Sequence, residues 1–172
     1  MSSSAEFTDA AATIRPFRPD DLLILKAITV EAFDGVSIDQ GIEREFGLIN
    51  EHDWKWRKAR HIDEDARREP EGIFVVEVDG RIAGSISTWQ DQDAGIGHIP
   101  NITLAPEFRG RGLGRWLIQY ALKHFRRCGL TCAKIETLAQ NEVGNHLYES
   151  IGFREVARQI HFVMDLTDEP SS

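Results

Sequence analysis

Cysteine is scarce. Cys128 and Cys132 are the only two in 172 residues. Two thiols cannot make a disulfide framework, and no second Cys/His pair stands at zinc spacing, so no metal is expected. Their apolar neighbours predict buried packing thiols. Basic residues are outnumbered, 20 Lys and Arg against 28 Asp and Glu, for a formal net charge of −8. Nucleic acid and anionic membrane both select a basic field, so neither is expected as a partner. The acidic balance accommodates a cationic substrate without requiring one. Long apolar runs are also missing: nothing approaches the roughly 20 residues of a membrane span. The opening MSSSAEFTDAAA has neither the basic n-region nor the apolar h-region of a signal peptide, and a cytoplasmic location follows by elimination.

What is present reads as one folded domain over residues 13–167, between polar tails at 1–12 and 168–172. Thr13–Phe17 alternates as a short strand, and Arg18-Pro19-Asp20-Asp21 then opens a helix striped by Leu22, Leu25, Ile28 and Phe33. Residues 34–70 carry little pattern: Asp34–Gln40 reads as loop, Gly41–Arg60 as weakly periodic helix and His61–Glu71 as a charged run. Gly72–Val78 and Arg81–Trp89 are strands joined by the turn dipeptide Asp79-Gly80. His98–Leu104 is a further strand. A helix from Gly112 or Leu113 to about Cys128 buries Leu117, Ala121 and Phe125, with Gly129 as its C-terminal cap. Cys132–Leu138 is a strand. Asn141–Ser150 is a helix with Val143, Leu147 and Ile151 in line, and Phe153–Arg158 and His161–Leu166 are two last strands. This succession is α/β (α+β), with helices on both faces of a mixed sheet.

The most informative segment is Ile102-Thr103-Leu104-Ala105-Pro106-Glu107-Phe108-Arg109-Gly110-Arg111-Gly112-Leu113-Gly114-Arg115. Glycines on alternate positions let the backbone close round a bulky anion, with free N–H groups at the positive end of the following helix. Arg109, Arg111 and Arg115 add forked cations suited to phosphate oxygens. A P-loop needs Lys followed by Ser or Thr where Arg115-Trp116 stands. The dinucleotide fingerprint needs its third glycine one residue later. The pattern that fits is Arg-x-x-Gly-x-Gly, filled by Arg109, Gly112 and Gly114. A glycine-rich turn that binds nothing is the bland alternative, and it does not account for the three arginines.

That pattern resembles the coenzyme A signature of the GNAT N-acetyltransferases. Leu104-Ala105-Pro106 resembles the Val-x-Pro that precedes it, and Asn141–Phe153 (NEVGNHLYESIGF) resembles the family's Asn-x-x-Ala-x-x-Leu-Tyr-Glu-Lys-Leu-Gly-Phe stretch. The resemblance implies the acyl-coenzyme A N-acyltransferase fold: a twisted mixed sheet of six to seven strands with about four helices, its fourth and fifth strands splayed. It implies acetyl-coenzyme A as cosubstrate and an amine as acceptor. Pantetheine would lie along Ile102, Thr103 and Leu104. The pyrophosphate would sit on Arg109, Gly110, Arg111, Gly112, Leu113 and Gly114, beside Arg115. Asn141 would contact the coenzyme.

Attack of an amine on a thioester needs a base for the ammonium proton and a donor for the leaving thiolate. Tyr148 matches the tyrosine of the family's Leu-Tyr-Glu and is the candidate acid. Glu136 is the candidate base, because a glutamate in a central strand is costly unless paired or functional. It also stands before Asn141 as the base glutamate does in enzymes that acetylate the N-terminal alanine of a ribosomal protein. His98 is a rival base. The link near Arg158-Gln159 is shorter than in those enzymes, which opens the acceptor side. Residues 34–62, with Glu43, Glu45, Glu51, Trp54 and Trp56, would form the other wall. An acetyltransferase acting on a small-molecule or protein amine is the leading expectation. A non-catalytic acyl-coenzyme A sensor is the second, and a homodimer is left open.

Overall fold

The computed structural model describes residues 11–167. Five strands form one sheet in chain order: β1 (Ala12–Pro16), β2 (Ile73–Val78), β3 (Arg81–Asp91), β4 (Ile96–Leu104) and β5 (Cys132–Ile135). Neighbours are antiparallel except β4 and β5, which run parallel. The helices are α1 (Leu22–Ala32), α2 (Ile38–Phe46), α3 (Trp54–Arg68), α4 (Leu113–Arg127) and α5 (Glu142–Ile151).

The apolar run Ile73–Val76 at the start of β2 is explained by burial on both faces. Phe74, Val76 and Val78 pack with Leu117, Ile118, Ala121 and Phe125 of α4. Ile73 and Val75 point the other way, to Leu25 of α1 and Ile62 of α3. The β2–β3 hairpin turns on Asp79 and Gly80, both at positive φ (50° and 73°), as a two-residue turn of matching twist requires. Arg15 of β1 bridges Asp21 and Glu77 at 2.7 Å each and joins the sheet edge to the start of α1.

Several expectations are corrected. The two C-terminal strands, Phe153–Arg158 and His161–Leu166, do not form: among the described residues the chain after Gly152 has no regular element, and the sheet has five strands rather than six or seven. Among the described residues the α-helices number five rather than about four, because the obscure segment 34–70 holds two, α2 and α3. α3 was hard to see because its buried positions are Trp54, Lys58, Ile62 and Asp65, a helical stripe in which two members carry charge. β5 ends at Ile135 and lies at the sheet edge, so Glu136 follows it and is exposed. Cys132 is exposed and Cys128 only partly covered, rather than both buried. Val143 is exposed, outside the core stripe. The expectations for residues 1–10 and 168–172 lie outside the described residues.

Candidate functional site

The central feature is the parting of β4 from β5. The two strands pair only from Ile96↔Cys132 to Ile99↔Ile135, while β4 continues along β3 as far as Leu104. Beyond Ile99 the edge of β4 towards β5 therefore has no strand beside it among the described residues. A bulge marks the place: the β3–β4 register shifts between Ser87 and Trp89. Such bulges bend a strand and re-aim its side chains. After the bulge, Ile102 and Leu104 pack on the α4 side, whereas Asn101 and Thr103 are buried on the side of α3.

The chain then passes through a short turn at Pro106–Phe108 into the glycine loop. Phe108 is buried and anchors the loop, with the Arg81 and Arg111 guanidinium groups over its ring at 5.2 and 5.8 Å. Gly110 and Gly112 sit at φ 74° and 82°, the left-handed region that disfavours other residues. Gly112 is the N-cap of α4 and supplies no side chain to its amides. Helix geometry leaves Leu113, Gly114 and Arg115 N–H without partners inside the helix, at its positive end. Arg109 donates to the Leu104 carbonyl at 3.2 Å, tying the loop to the end of β4. Arg109, Gly110, Arg111 and Gly112 are all exposed. A Cβ added at Gly114 would meet Leu104 and Leu147 only at ordinary contact distance, 3.6 and 3.5 Å, so packing alone does not demand glycine there. Bare amides, left-handed glycines and exposed arginines together suit a pyrophosphate.

α5 closes this end of the molecule. Arg115 donates to Ser150 Oγ at 2.7 Å, and Leu147 approaches Gly114. Tyr148 follows Leu147. It packs against the core, edge-on to Phe153 with centroids 6.3 Å apart. Burial pushes its hydroxyl up to about 12, so it stays protonated and able to donate. Asn141 is the N-cap of α5: its Oδ1 accepts from Gly144 N–H at 3.1 Å and its Nδ2 donates to Thr137 Oγ1 at 2.8 Å. A Cβ at position 144, where the resembled pattern has alanine, would lie 2.5 Å from Asn141 Nδ2 and would require that side chain to shift.

The two candidate bases share the start of the gap. His98 on β4 is in register with Lys134 on β5, and Lys134 holds Glu136 in an ion pair of 2.5 Å. Glu136 is exposed. His98 is half-buried and stacked flat on Trp89, 3.8 Å between centroids. Burial first, then the Lys134 charge, lower its pKa below 6.5 and keep the imidazole neutral at pH 7.

Sequence reasoning missed a polar network on the α3 side of β4. Lys58 Nζ donates to Asn101 Oδ1 at 3.1 Å and lies 3.5 Å over the Phe33 ring. Asn101 Nδ2 donates to Asp65 Oδ2 at 2.7 Å, and Ser87 also bonds Asp65. Burial lowers the Lys58 pKa to about 8 and raises that of Asp65. The available signal was Lys58 and Asp65, seven positions apart, on the helix face of Ile62. Of the aromatic residues of 34–62, Trp54 is buried with its backbone N–H on the Glu43 carboxylate. Trp56 is exposed and stacked on His52. Among the described residues no three His, Cys, Asp or Glu side chains converge as metal ligands would.

The family model described as "Acetyltransferase (GNAT) family" matches residues 37–153. A mycothiol acetyltransferase of Streptomyces avermitilis is 31% identical over 82% of this chain and 42% of its own length. That of Thermomonospora curvata is 34% identical over 63% of the chain and 36% of its own length. The chain thus spans well under half of these relatives. The PaiA N-acetyltransferase of Thermoplasma acidophilum, solved with coenzyme A, superposes with a TM-score of 0.67 at 20% identity, covering 83% of this chain and 89% of that one. The ribosomal-protein-S18-alanine N-acetyltransferase of Escherichia coli gives a TM-score of 0.59 at 21% identity over 85% and 79% of the two chains.

Proposed function

Since the chain belongs to the acetyltransferase (GNAT) family, we propose that it transfers an acetyl group from acetyl-coenzyme A to the primary amine of a small molecule or protein. The observation that carries this reading is the junction of the β4–β5 gap with the glycine loop. A strand edge free past Ile99 leads directly into bare amides and left-handed glycines at the start of α4. Ile102, Thr103 and Leu104 would hold the pantetheine arm. Arg109, Gly110, Arg111, Gly112, Leu113, Gly114 and Arg115 would hold the pyrophosphate. Asn141 would contact the coenzyme from the cap of α5, since its bonds to Gly144 and Thr137 use one of its two amide protons and one of its two oxygen lone pairs.

At pH 7 about one primary amine in a thousand is neutral, so a base at the acceptor side matters. The neutral imidazole of His98 can take that proton. Glu136, held by Lys134 beside it, is the second candidate. As the thioester carbon–sulfur bond breaks, negative charge collects on sulfur. The Tyr148 hydroxyl can donate to it, and the burial that keeps Tyr148 protonated also makes that hydrogen bond stronger than it would be in water.

The test is thiol release from acetyl-coenzyme A across a panel of small amines and peptide N-termini. Turnover with at least one amine is expected. Tight coenzyme binding without turnover on any acceptor would replace this reading with a sensor, and absence of coenzyme binding would sink both.

A further inference from the structure

We propose that Trp89 is the positioning residue for His98: its indole plane, rather than a hydrogen bond to the imidazole, sets the angle at which the ring nitrogens meet the acceptor amine. This rests on the reading of His98 as the base.

The bulge brings the two rings together. Gly97 and Ile99 face α4: a Cβ at Gly97 would strike the Phe125 ring at 2.5 Å, and Ile99 lies in the core with Leu117 and Phe125. Alternation along β4 turns His98 to the other face, that of α3. The register shift between Ser87 and Trp89 sets Trp89 directly opposite His98. Opposite residues on antiparallel strands have neighbouring Cβ atoms. Here the rings lie parallel, 3.8 Å between centroids and 6° between planes.

A reacting imidazole is commonly aimed by a hydrogen bond on one ring nitrogen, which leaves the other for the chemistry. Neither ring nitrogen of His98 has a hydrogen-bond partner among the described residues. Lys134, in register with it on β5, is taken by Glu136. What restrains the imidazole is therefore its face. The indole is itself held. The Arg68 guanidinium, at the end of α3, lies over it at 5.0 Å. Glu69, the next residue, accepts from the Gln90 backbone N–H at 3.0 Å and from its side-chain amide at 2.8 Å. The end of α3 is thus fastened to β3 one residue past Trp89. An imidazole stacked flat on a fixed plane cannot tilt without losing that contact, and both nitrogens stay free to take a proton. The imidazolium that then forms lies on a π face, which favours it.

Kinetics with acetyl-coenzyme A and the fastest amine of the panel tests the proposal. Trp89→Leu removes the ring face and Trp89→Phe keeps it. Trp89→Leu is expected to lower kcat by about ten-fold or more, with KM for acetyl-coenzyme A unchanged. Trp89→Phe should restore most of the rate. In a His98→Gln chain, which has no imidazole to aim, adding Trp89→Leu should cost nothing further. A merely structural tryptophan would cost as much there as in wild type, and that result would overturn the proposal. So would a Trp89→Leu chain at the wild-type rate where His98→Gln alone is slow. A His98→Gln chain as fast as wild type would remove the base reading itself, and the proposal with it. Proton NMR of the wild type reads the stack without a Trp89 variant or an acceptor. The His98 ring protons, assigned by their loss in His98→Gln, should be displaced upfield by the indole, and ordinary positions for them would refute the stacking.

Discussion

At the scale of single residues, Tyr148 and His98 carry opposite demands that burial meets in both cases. A tyrosine raised to about 12 keeps its proton in the working range, and a histidine lowered below 6.5 is mainly neutral above pH 7. Tyr148→Phe keeps the ring and its contact with Phe153, so kcat should fall by about 10²- to 10³-fold with little change in coenzyme affinity or melting temperature. An equal loss in affinity would make Tyr148 a binding group instead. If His98 is the base, kcat/KM rises with pH through a value below 6.5 and is flat above it, because only the neutral ring accepts a proton. His98→Gln should remove that limb and cost about 10²- to 10⁴-fold. Glu136→Gln should cost only a few-fold, since its carboxylate is exposed and held by Lys134. A loss confined to Glu136→Gln would reverse the two roles.

At the scale of elements, the site depends on where two helices begin. Gly112 starts α4 at φ 82°, a conformation that costs an L-residue about 1–2 kcal/mol. Gly112→Ala should lose that much stability and raise KM for acetyl-coenzyme A more than ten-fold, with kcat at saturation much less affected. An unchanged KM would remove the loop from coenzyme binding. Asn141 starts α5, and Asn141→Ala should cost about 1 kcal/mol in urea unfolding. These beginnings were legible in the sequence because caps and turns are local: Gly112, Asn141 and Asp79-Gly80 act through their own backbone. So were β2 and the α4 stripe, whose buried residues are all apolar. What was not legible depended on distant partners. α3 hides Lys58 and Asp65 in its buried face because Asn101 and Ser87, far along the chain, receive them. Phe153–Arg158 and His161–Leu166 read as strands, yet among the described residues no strand pairs with them. Glu136 looked buried only on the expectation that further strands cover β5.

At the scale of the whole molecule, the Lys58 network binds the end of α1, α3, β3 and β4 into one unit, through Phe33, Asp65, Ser87 and Asn101. It lies on the far face of the strand whose free edge makes the gap, so it holds β4 in place from behind. Burial is the main cause of the low Lys58 pKa, about 8 in the fold against 10.5 for the free group, with Asp39 and Asp65 partly opposing it. The unfolded chain keeps this proton to higher pH than the fold does. Between the two values the unfolded state binds more protons, so the contribution of this site to stability increases as pH rises. Below about pH 8 the ammonium is buried at full cost, on the order of 3 kcal/mol for a shift of this size. Lys58→Met removes the titration, so the variant should lack the wild-type gain in unfolding free energy between neutrality and pH ~9.5. The single variant also leaves the Asp65 carboxyl without its ammonium neighbour. Lys58→Met with Asp65→Asn, which removes both charges, should therefore be more stable than Lys58→Met alone. Urea unfolding at the two pH values reads both effects. A pH slope equal to that of wild type in Lys58→Met would show that Lys58 is not the group that titrates.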